Sequence, residues 1–384
     1  MKFEFATATK IIFGAGTLRE VGAAARSFGQ RALVVTGRDA KRAGSLLIIL
    51  RDAGLIAAAF PVVGEPELST VEQGTALAKK WKFDLVIGMG GGSVIDAAKA
   101  IAAMLANDGE LLDYLEIIGR GKTLSKPSAP FIAIPTTAGT GSEVTRNSVL
   151  ASPEHKLKVS LRSPLMLPKI ALVDPELTYD LPPAITASTG LDALTQLIEP
   201  FVCARANPMT DGLCAEGIRR AARSLRVAFN DGQNKSARED MALASLFGGL
   251  ALANAGLGAV HGFAGPIGGS FPAPHGAVCA ALLPHVMAAN IRALRQRAAE
   301  GDTLRRYDEV ARLLTGNASV TADDGVKWVC ELVADLQIPR LGEFGVCEEH
   351  VADLITKAAN ASSMKANPIA LTPEELAETL RAAI

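Results

Sequence analysis

Aromatic residues are scarce: Phe, Trp and Tyr make up 5% of 384 residues, with only two Trp and three Tyr. A chain this poor in rings and rich in small residues favours helices packed on sheets over an aromatic-rich β-sandwich. An excess of one charge is lacking too, since 39 Lys+Arg face 40 Asp+Glu for a net charge of −1. That balance excludes nucleic-acid binding as the main activity, because neutralising phosphates needs a basic excess. The five cysteines, at 203, 214, 279, 330 and 347, contain no C-x-x-C pair. Their wide spacings argue against a disulfide framework and equally against a thiolate zinc site. No G-x-S-x-G elbow is present, so nothing suggests a serine nucleophile. The opening MKFEFATATKIIFGAG carries Glu4 and alternates apolar with polar residues, unlike a signal or transit peptide. A reducing, cytoplasmic location is the expectation. Hydrophobic residues at 49% and charged residues at 21% fit a globular chain, and the length predicts two or three domains.

Met241 to Asn290 holds no Lys, Arg, Asp or Glu. A charge-free run of more than about 20 residues can mark a membrane span. Here the run is rich in Ala and Gly, contains Asn254, His261, His275 and His285, and is broken by Pro266, Pro272 and Pro274. A buried core around a polar site is the better expectation.

The first half alternates short apolar runs with helical patterns. Phe3 to Ala6 and Ile11 to Phe13 read as a strand pair, and Ala32 to Thr36, Ala57 to Phe60, Asp84 to Gly88, Phe131 to Pro135 and Ile170 to Asp174 as strands. Helices are predicted at Leu46 to Ala53 and Val94 to Ala106. Apolar strands alternating with helices imply a parallel sheet covered on both faces. After Pro182-Pro183 only helices are predicted, at about 189–200, 207–228, 235–254, 276–295, 302–315, 322–336, 347–360 and 372–383. The expected organisation is an α/β dinucleotide-binding (Rossmann-like) domain over 1–182 and an all-helical metal and substrate domain over 183–384. The cleft between such domains is the expected place for an active site.

Two glycine-rich segments stand at strand ends. In DLVIGMGGGSVIDAAKA a buried strand runs into Gly90, Gly91 and Gly92, and a helix begins at Ser93. Glycines let a ligand approach the backbone, and the helix start offers free N–H groups to a phosphate. Ser93 and Asp96 have capping-box spacing. The segment is not G-x-G-x-x-G, because Ser93 stands where the third Gly belongs, so a tight βα turn is the plainer alternative. In IPTTAGTGSEVT four Thr, two Gly and one Ser follow a strand that ends at Pro135. Open α/β sheets bind ligands at that end. The alternative is a polar loop capped by Ser142 and Glu143.

Asp192 and Gln196 are four residues apart in STGLDALTQLIEP and share a helical face. His261 and His275 lie in the charge-free segment. Carboxylate and imidazole suit Zn or Fe(II), and three protein ligands with an open position mark a catalytic centre. For either histidine alone, a hydrogen-bonded core position is the plainer reading; spacing alone does not establish convergence. His155 and His350 read as surface residues, and His285 as core or support.

These motifs resemble the iron-containing (group III) alcohol dehydrogenase family over almost the whole chain. The resemblance rests on GGGSVIDAAKA at 90–100, PTTAGTGSEVT at 135–145, VDPEL at 173–177, TGLDAL at 189–194 and VHGFAGPIGGSFPAPHG at 260–276. It implies hydride transfer between a small alcohol or aldehyde and NAD or NADP, with a divalent metal (Fe2+ or Zn2+) polarising the substrate oxygen. It assigns pyrophosphate binding to Gly90, Gly91, Gly92 and Ser93. Thr136, Thr137, Thr145, Lys158 and Leu177 would line the ribose and nicotinamide. Asp192, His261 and His275 would hold the metal and carry catalysis, with Gln196 where the family pattern has His. Gly265 stands where that pattern commonly has a second His, which removes a possible proton relay. Water at the open coordination position is the expected substitute. Gly37 and Arg38 follow the first long strand, where an acidic residue would select NAD; their identity leans toward NADP(H). The alternatives are a metal-independent reductase of the same superfamily, resembling maleylacetate reductases, and a nucleotide-binding protein without catalysis. The expected partners are a small-molecule substrate and further copies of the chain, as a dimer or larger homo-oligomer, with neither nucleic acid nor membrane.

Overall fold

The computed structural model describes residues 2–155 and 157–384. Two compact units are formed. One comprises Ala6–Thr137 and Gly141–Thr178; the other comprises Tyr179–Ile384 with Ala138–Thr140 and the N-terminal residues up to Phe5.

The first unit is built on six parallel strands: β1 (Lys10–Phe13), β2 (Arg31–Thr36), β3 (Ile56–Pro61), β4 (Leu85–Gly90), β5 (Phe131–Pro135) and β8 (Ile170–Val173). Their order is β1-β8-β5-β4-β2-β3. All residues of β4, β5 and β8 are buried, as a sheet covered on both faces requires. Alternate side chains serve opposite layers. Leu33, Val35 and Val86 pack with α3 (Leu68–Lys80) and α4 (Gly92–Ala106), while Ala32, Val34, Leu85 and Ile87 pack with α1 (Val21–Arg26) and α2 (Gly44–Asp52). From β2 the chain builds outward to β3 and then returns to place β4 on the other side. The carboxyl ends of β2 and β4 therefore flank a switch point, the usual ligand position in such sheets. Asp174, just after β8, accepts from the backbone N–H groups of Gly16, Leu18 and Glu176 at 3.0 Å each, which pins the turn after β1 to the sheet.

The structure corrects two sequence expectations here and adds elements the sequence did not mark. Phe3 to Ala6 is no strand, because β1 takes β8 as its parallel partner from Lys10↔Ile170 onward. An antiparallel hairpin, β6 (Asn147–Ser152) with β7 (Leu157–Arg162), was not anticipated. Helices α1 and α3 were not anticipated either. Ser93 and Asp96 form no capping box: α4 begins at Gly92 with Gly91 as its N-cap and no side-chain cap bond. Asp96 instead turns to the hairpin, where its carboxylate accepts from Val149 N at 3.0 Å and from Ser142 Oγ.

Among the described residues the second unit has no strand. Its helices are α5 (Pro183–Val202), α6 (Pro208–Asn230), α7 (Lys235–Asn254), α8 (Ala259–Ser270), α9 (His275–Arg297), α10 (Asp302–Thr315), α11 (Ala322–Asp335), α12 (Val351–Asn360) and α13 (Pro373–Ala383). Helix α5 starts at a proline, whose fixed φ and missing N–H suit the first turn, some six residues earlier than the sequence pattern indicated. Helix α8 escaped sequence reading because Gly262, Gly265, Pro266, Gly268 and Gly269 mask its periodicity. The stretch predicted at 347–360 is a short 3-10 turn, Glu348–His350, followed by α12. The charge-free run forms most of α7, all of α8 and the first part of α9. Helix α9 is long and apolar enough to cross a membrane, but 83% of its most apolar window is buried inside the protein.

Candidate active site

Asp192 sits on the inner face of α5, 1% exposed. His261 lies in the first turn of α8 and His275 opens α9. Gly276 lets α9 start against α5: a Cβ there would stand 2.5 Å from the carbonyl oxygen of Ser188. Asp192 Oδ1 thereby faces His261 Nε2 at 3.4 Å and His275 Nε2 at 3.7 Å. Yet Oδ1 is buried and makes no hydrogen bond, and the Oε1 of Gln196, one turn along α5, is in the same state. Cys279, one turn into α9, joins the group, and the donor atoms of Asp192, His261, His275 and Cys279 all lie within 4.8 Å of one another.

Burial would raise the pKa of the Asp192 carboxyl, but the imidazoles of His275 and His261 and the Gln196 amide hold it below the ordinary value. Burial opposes a charge on His261; the neighbouring Cys279, Glu199 and Asp192 outweigh it and push this imidazole well up. Cys279 raises His275 as well, with Asp192 assisting against burial.

Glu199 is the residue sequence reasoning missed. Its Oε1 accepts from Val260 N at 2.8 Å and its Oε2 lies 2.6 Å from His261 Nδ1. A carboxylate accepting from Nδ1–H fixes the tautomer and presents the Nε2 lone pair inward, the support that metal-bound histidines commonly have. Asn367 completes the start of α8 by accepting from Ala259 N at 3.0 Å. Asp192, Gln196 and Glu199 follow an i, i+4, i+7 pattern on α5, which was the available signal.

The remaining histidines are elsewhere. His155 is exposed and bonded to Ser152, His285 is half-buried on α9 with burial lowering its pKa, and His350 stands edge-on to Phe271 at 4.8 Å. A side chain added at Gly265, on the His261 face of α8, would meet open space.

In the first unit, Gly90 ends β4, and Gly37, Thr136 and Leu177 follow the carboxyl ends of β2, β5 and β8, the four being adjacent strands. Gly90 is packed tightly, with a hypothetical Cβ only 2.6 Å from Val94. Gly91 is different: a Cβ would make ordinary contact with Thr137 at 3.5 Å, and its φ of −73° suits any residue. Gly92 and Ser93 occupy the first turn of α4, where N–H groups have no intrahelical acceptor. Gly37 has no atom within 4 Å of a would-be Cβ, and Arg38 is exposed. Asp39 spends its carboxylate on the N–H of Lys41 at 3.0 Å. Thr136 and Thr137 are half-buried, whereas Thr145 is buried and accepts from Lys99 Nζ at 2.9 Å. Lys158, on β7, pairs with Glu65 at 3.2 Å. Lys99 is fully buried and also reaches the carbonyls of Ser142 and Asn147, at 2.8 and 2.7 Å. Burial pushes its ammonium down to about 8 against Asp96 and Glu143, and pushes the Glu143 carboxyl up to about 7.

The models of two families match this chain: iron-containing alcohol dehydrogenase over residues 8–175, and the C-terminal part of the Fe-containing alcohol dehydrogenase family over 186–384. The chain belongs to the iron-containing alcohol dehydrogenase family. It is 41% identical over 329 residues to Long-chain-alcohol dehydrogenase 1 of Geobacillus thermodenitrificans, covering 84% of this chain and 80% of the relative. A solved structure of 1,3-propanediol oxidoreductase superposes with a TM-score of 0.93 at 34% identity, over all of both chains. Sulfoacetaldehyde reductase from Bifidobacterium kashiwanohense, solved in complex with NAD+, gives 0.87 at 30% identity, covering 100% of this chain and 99% of its own. As an iron-containing alcohol dehydrogenase, the chain is an oxidoreductase acting on CH–OH groups.

Proposed function

We propose that this enzyme interconverts a small alcohol and its aldehyde, with NADP(H) or NAD(H) as hydride partner and a divalent metal held by Asp192, His261 and His275. The observation that carries the metal is Asp192 Oδ1, a buried carboxylate oxygen with no hydrogen bond and two imidazole nitrogens turned to it. An ionised carboxylate left so costs several kcal/mol, and a cation removes that cost. The donor set fits: one carboxylate and two imidazoles suit Zn or Fe(II). A bound cation would supply Lewis acidity to the substrate oxygen. Asp192 contributes the negative charge that retains the cation. Glu199 keeps the proton of His261 on Nδ1, so Nε2 stays free to coordinate. His275 has a 34% exposed side chain, which leaves one side of the cluster open to substrate. Gln196 contributes at most a neutral oxygen.

On the cofactor side, Gly91, Gly92 and Ser93 at the start of α4 suit the pyrophosphate, and Thr136, Thr137 and Leu177 stand at the neighbouring strand ends. Thr145 and Lys158 are already engaged by Lys99 and Glu65, and act by shaping the loop and hairpin. The open space at Gly37, the exposed Arg38 and the capping role of Asp39 favour a 2′-phosphate, hence NADP(H). The relatives' names, which include a long-chain alcohol and 1,3-propanediol, support an alcohol as the substrate class. Five free thiols fit a reducing, cytoplasmic location. Phe3 is 45% exposed and fits burial in a homo-oligomer, which light scattering reads directly.

His275→Ala is expected to abolish alcohol oxidation and leave cofactor affinity within about twofold, because the glycine loop and the metal cluster belong to different units. Loss of cofactor binding together with activity would refute the assignment.

A further inference from the structure

Cysteine spacing argued against a thiolate site, but the fold carries one thiol to the metal cluster. Cys279 lies four residues after His275 on α9, so both side chains rise from one helical face. The residue is fully buried, and its Sγ stands 3.7 Å from His275 Nε2 and 3.8 Å from His261 Nε2. His261 Nε2 and His275 Nε2 face Asp192 Oδ1 at 3.4 and 3.7 Å, so sulfur, oxygen and both nitrogens gather in one place. Zinc bonds of about 2.0–2.1 Å to nitrogen or oxygen and about 2.3 Å to sulfur, set tetrahedrally, separate the donors by about 3.3–3.6 Å. The four nitrogen–oxygen and nitrogen–sulfur separations, 3.4–3.8 Å, lie within a few tenths of an ångström of that range, and all four donors stay within 4.8 Å of one another. The unpartnered Asp192 Oδ1, itself buried, aims into it.

We propose that Cys279 is a thiolate ligand of this centre, completing an Asp192–His261–His275–Cys279 set in a chain whose position 196 offers only an amide. The inference deepens the metal reading above and rests on it. On binding, the Cys279 thiol gives its proton to solvent and a sulfur–metal bond forms; nothing is oxidised or reduced. A thiolate shifts the donor set toward softer ions, so the site favours zinc over ferrous iron. With four protein donors, substrate access relies on expansion to five-coordination, which zinc sites allow.

The test loads the full-length, metal-stripped protein with Co(II) and reads both cobalt content and near-ultraviolet absorption. The expected result is stoichiometric cobalt with a strong sulfur-to-cobalt charge-transfer band in the wild type. That band disappears in Cys279→Ser and Cys279→Ala, and zinc affinity falls by about tenfold or more in both. Stoichiometric cobalt without the band, or a band that survives in both variants, overturns the thiolate and leaves the three-ligand reading standing. Failure of the wild type to bind cobalt or zinc overturns both. The wild-type spectrum alone decides the matter if the variants do not fold.

Discussion

Glu199 holds the start of α8 and the His261 ring with one carboxylate, and neither task is visible from a ligand motif. Replacing it with glutamine puts an amide N–H against His261 Nδ1–H and drives the ring toward the wrong tautomer. Glu199→Gln is therefore expected to weaken zinc binding about 10- to 100-fold, with helical circular dichroism unchanged. Zinc competition titrations check this, and an affinity within twofold of wild type would contradict it. Asp192, His261 and His275 could be singled out from their local motifs and their chemistry, and the fold brings their donor atoms together. Cys279 was not, because a lone cysteine carries no spacing signal and only the start of α9 against α5 brings it inward. Position 196 offers a reciprocal check. Gln196→His adds an imidazole to the α5 face shared with Asp192, so Fe(II) occupancy should rise. Unchanged metal content would show that residue 196 lies outside the ligand sphere.

The loop between β4 and α4 separates ligand effects from folding effects at adjacent glycines. Gly91→Val meets only Thr137 at ordinary contact distance, so the fold should survive while the pyrophosphate's approach is blocked. Gly90→Ala forces a Cβ to 2.6 Å from Val94 and should cost about 1–3 kcal/mol of stability. Thermal melts and cofactor titrations on the pair test the assignment, and unchanged cofactor affinity in Gly91→Val would remove it. At the end of β2, Gly37→Asp has room for its side chain and should shift kcat/KM from NADP toward NAD. A wild type that already prefers NAD tenfold would overturn the NADP reading. The strands of this sheet were legible because both-face burial leaves continuous apolar runs. The β6–β7 hairpin and α8 were not. In β6 the buried face carries Ser148 and Ser152 beside Leu150, so no apolar alternation marks the strand, and α8 is written in glycine and proline, whose helical placement depends on neighbours such as Met364 packed at Gly262.

At the scale of the whole molecule, alternation of strands and helices followed by helices alone was enough to anticipate both architectures. Buried polar interactions were less visible, as Ser93 and Asp96 show: a local cap was expected, and a long-range contact to the hairpin won. The same buried region makes stability depend on pH. Glu143 has its folded pKa raised to about 7, so its stabilisation is full below the unfolded value and is lost as pH rises through about 7. Lys99, lowered to about 8, contributes stability above its unfolded value and loses it as pH falls through about 8. Glu143→Gln should accordingly raise Tm relative to wild type near pH 8, and that advantage should fade toward pH 5. A Tm difference independent of pH would contradict the buried, proton-binding Glu143. The central claim, a metal-dependent alcohol dehydrogenase, is tested most directly by elemental analysis of the purified protein joined to alcohol oxidation before and after chelation. The account predicts one divalent metal per chain, activity lost when it is stripped, and activity restored by adding zinc or ferrous iron. Full activity in metal-free protein would contradict it.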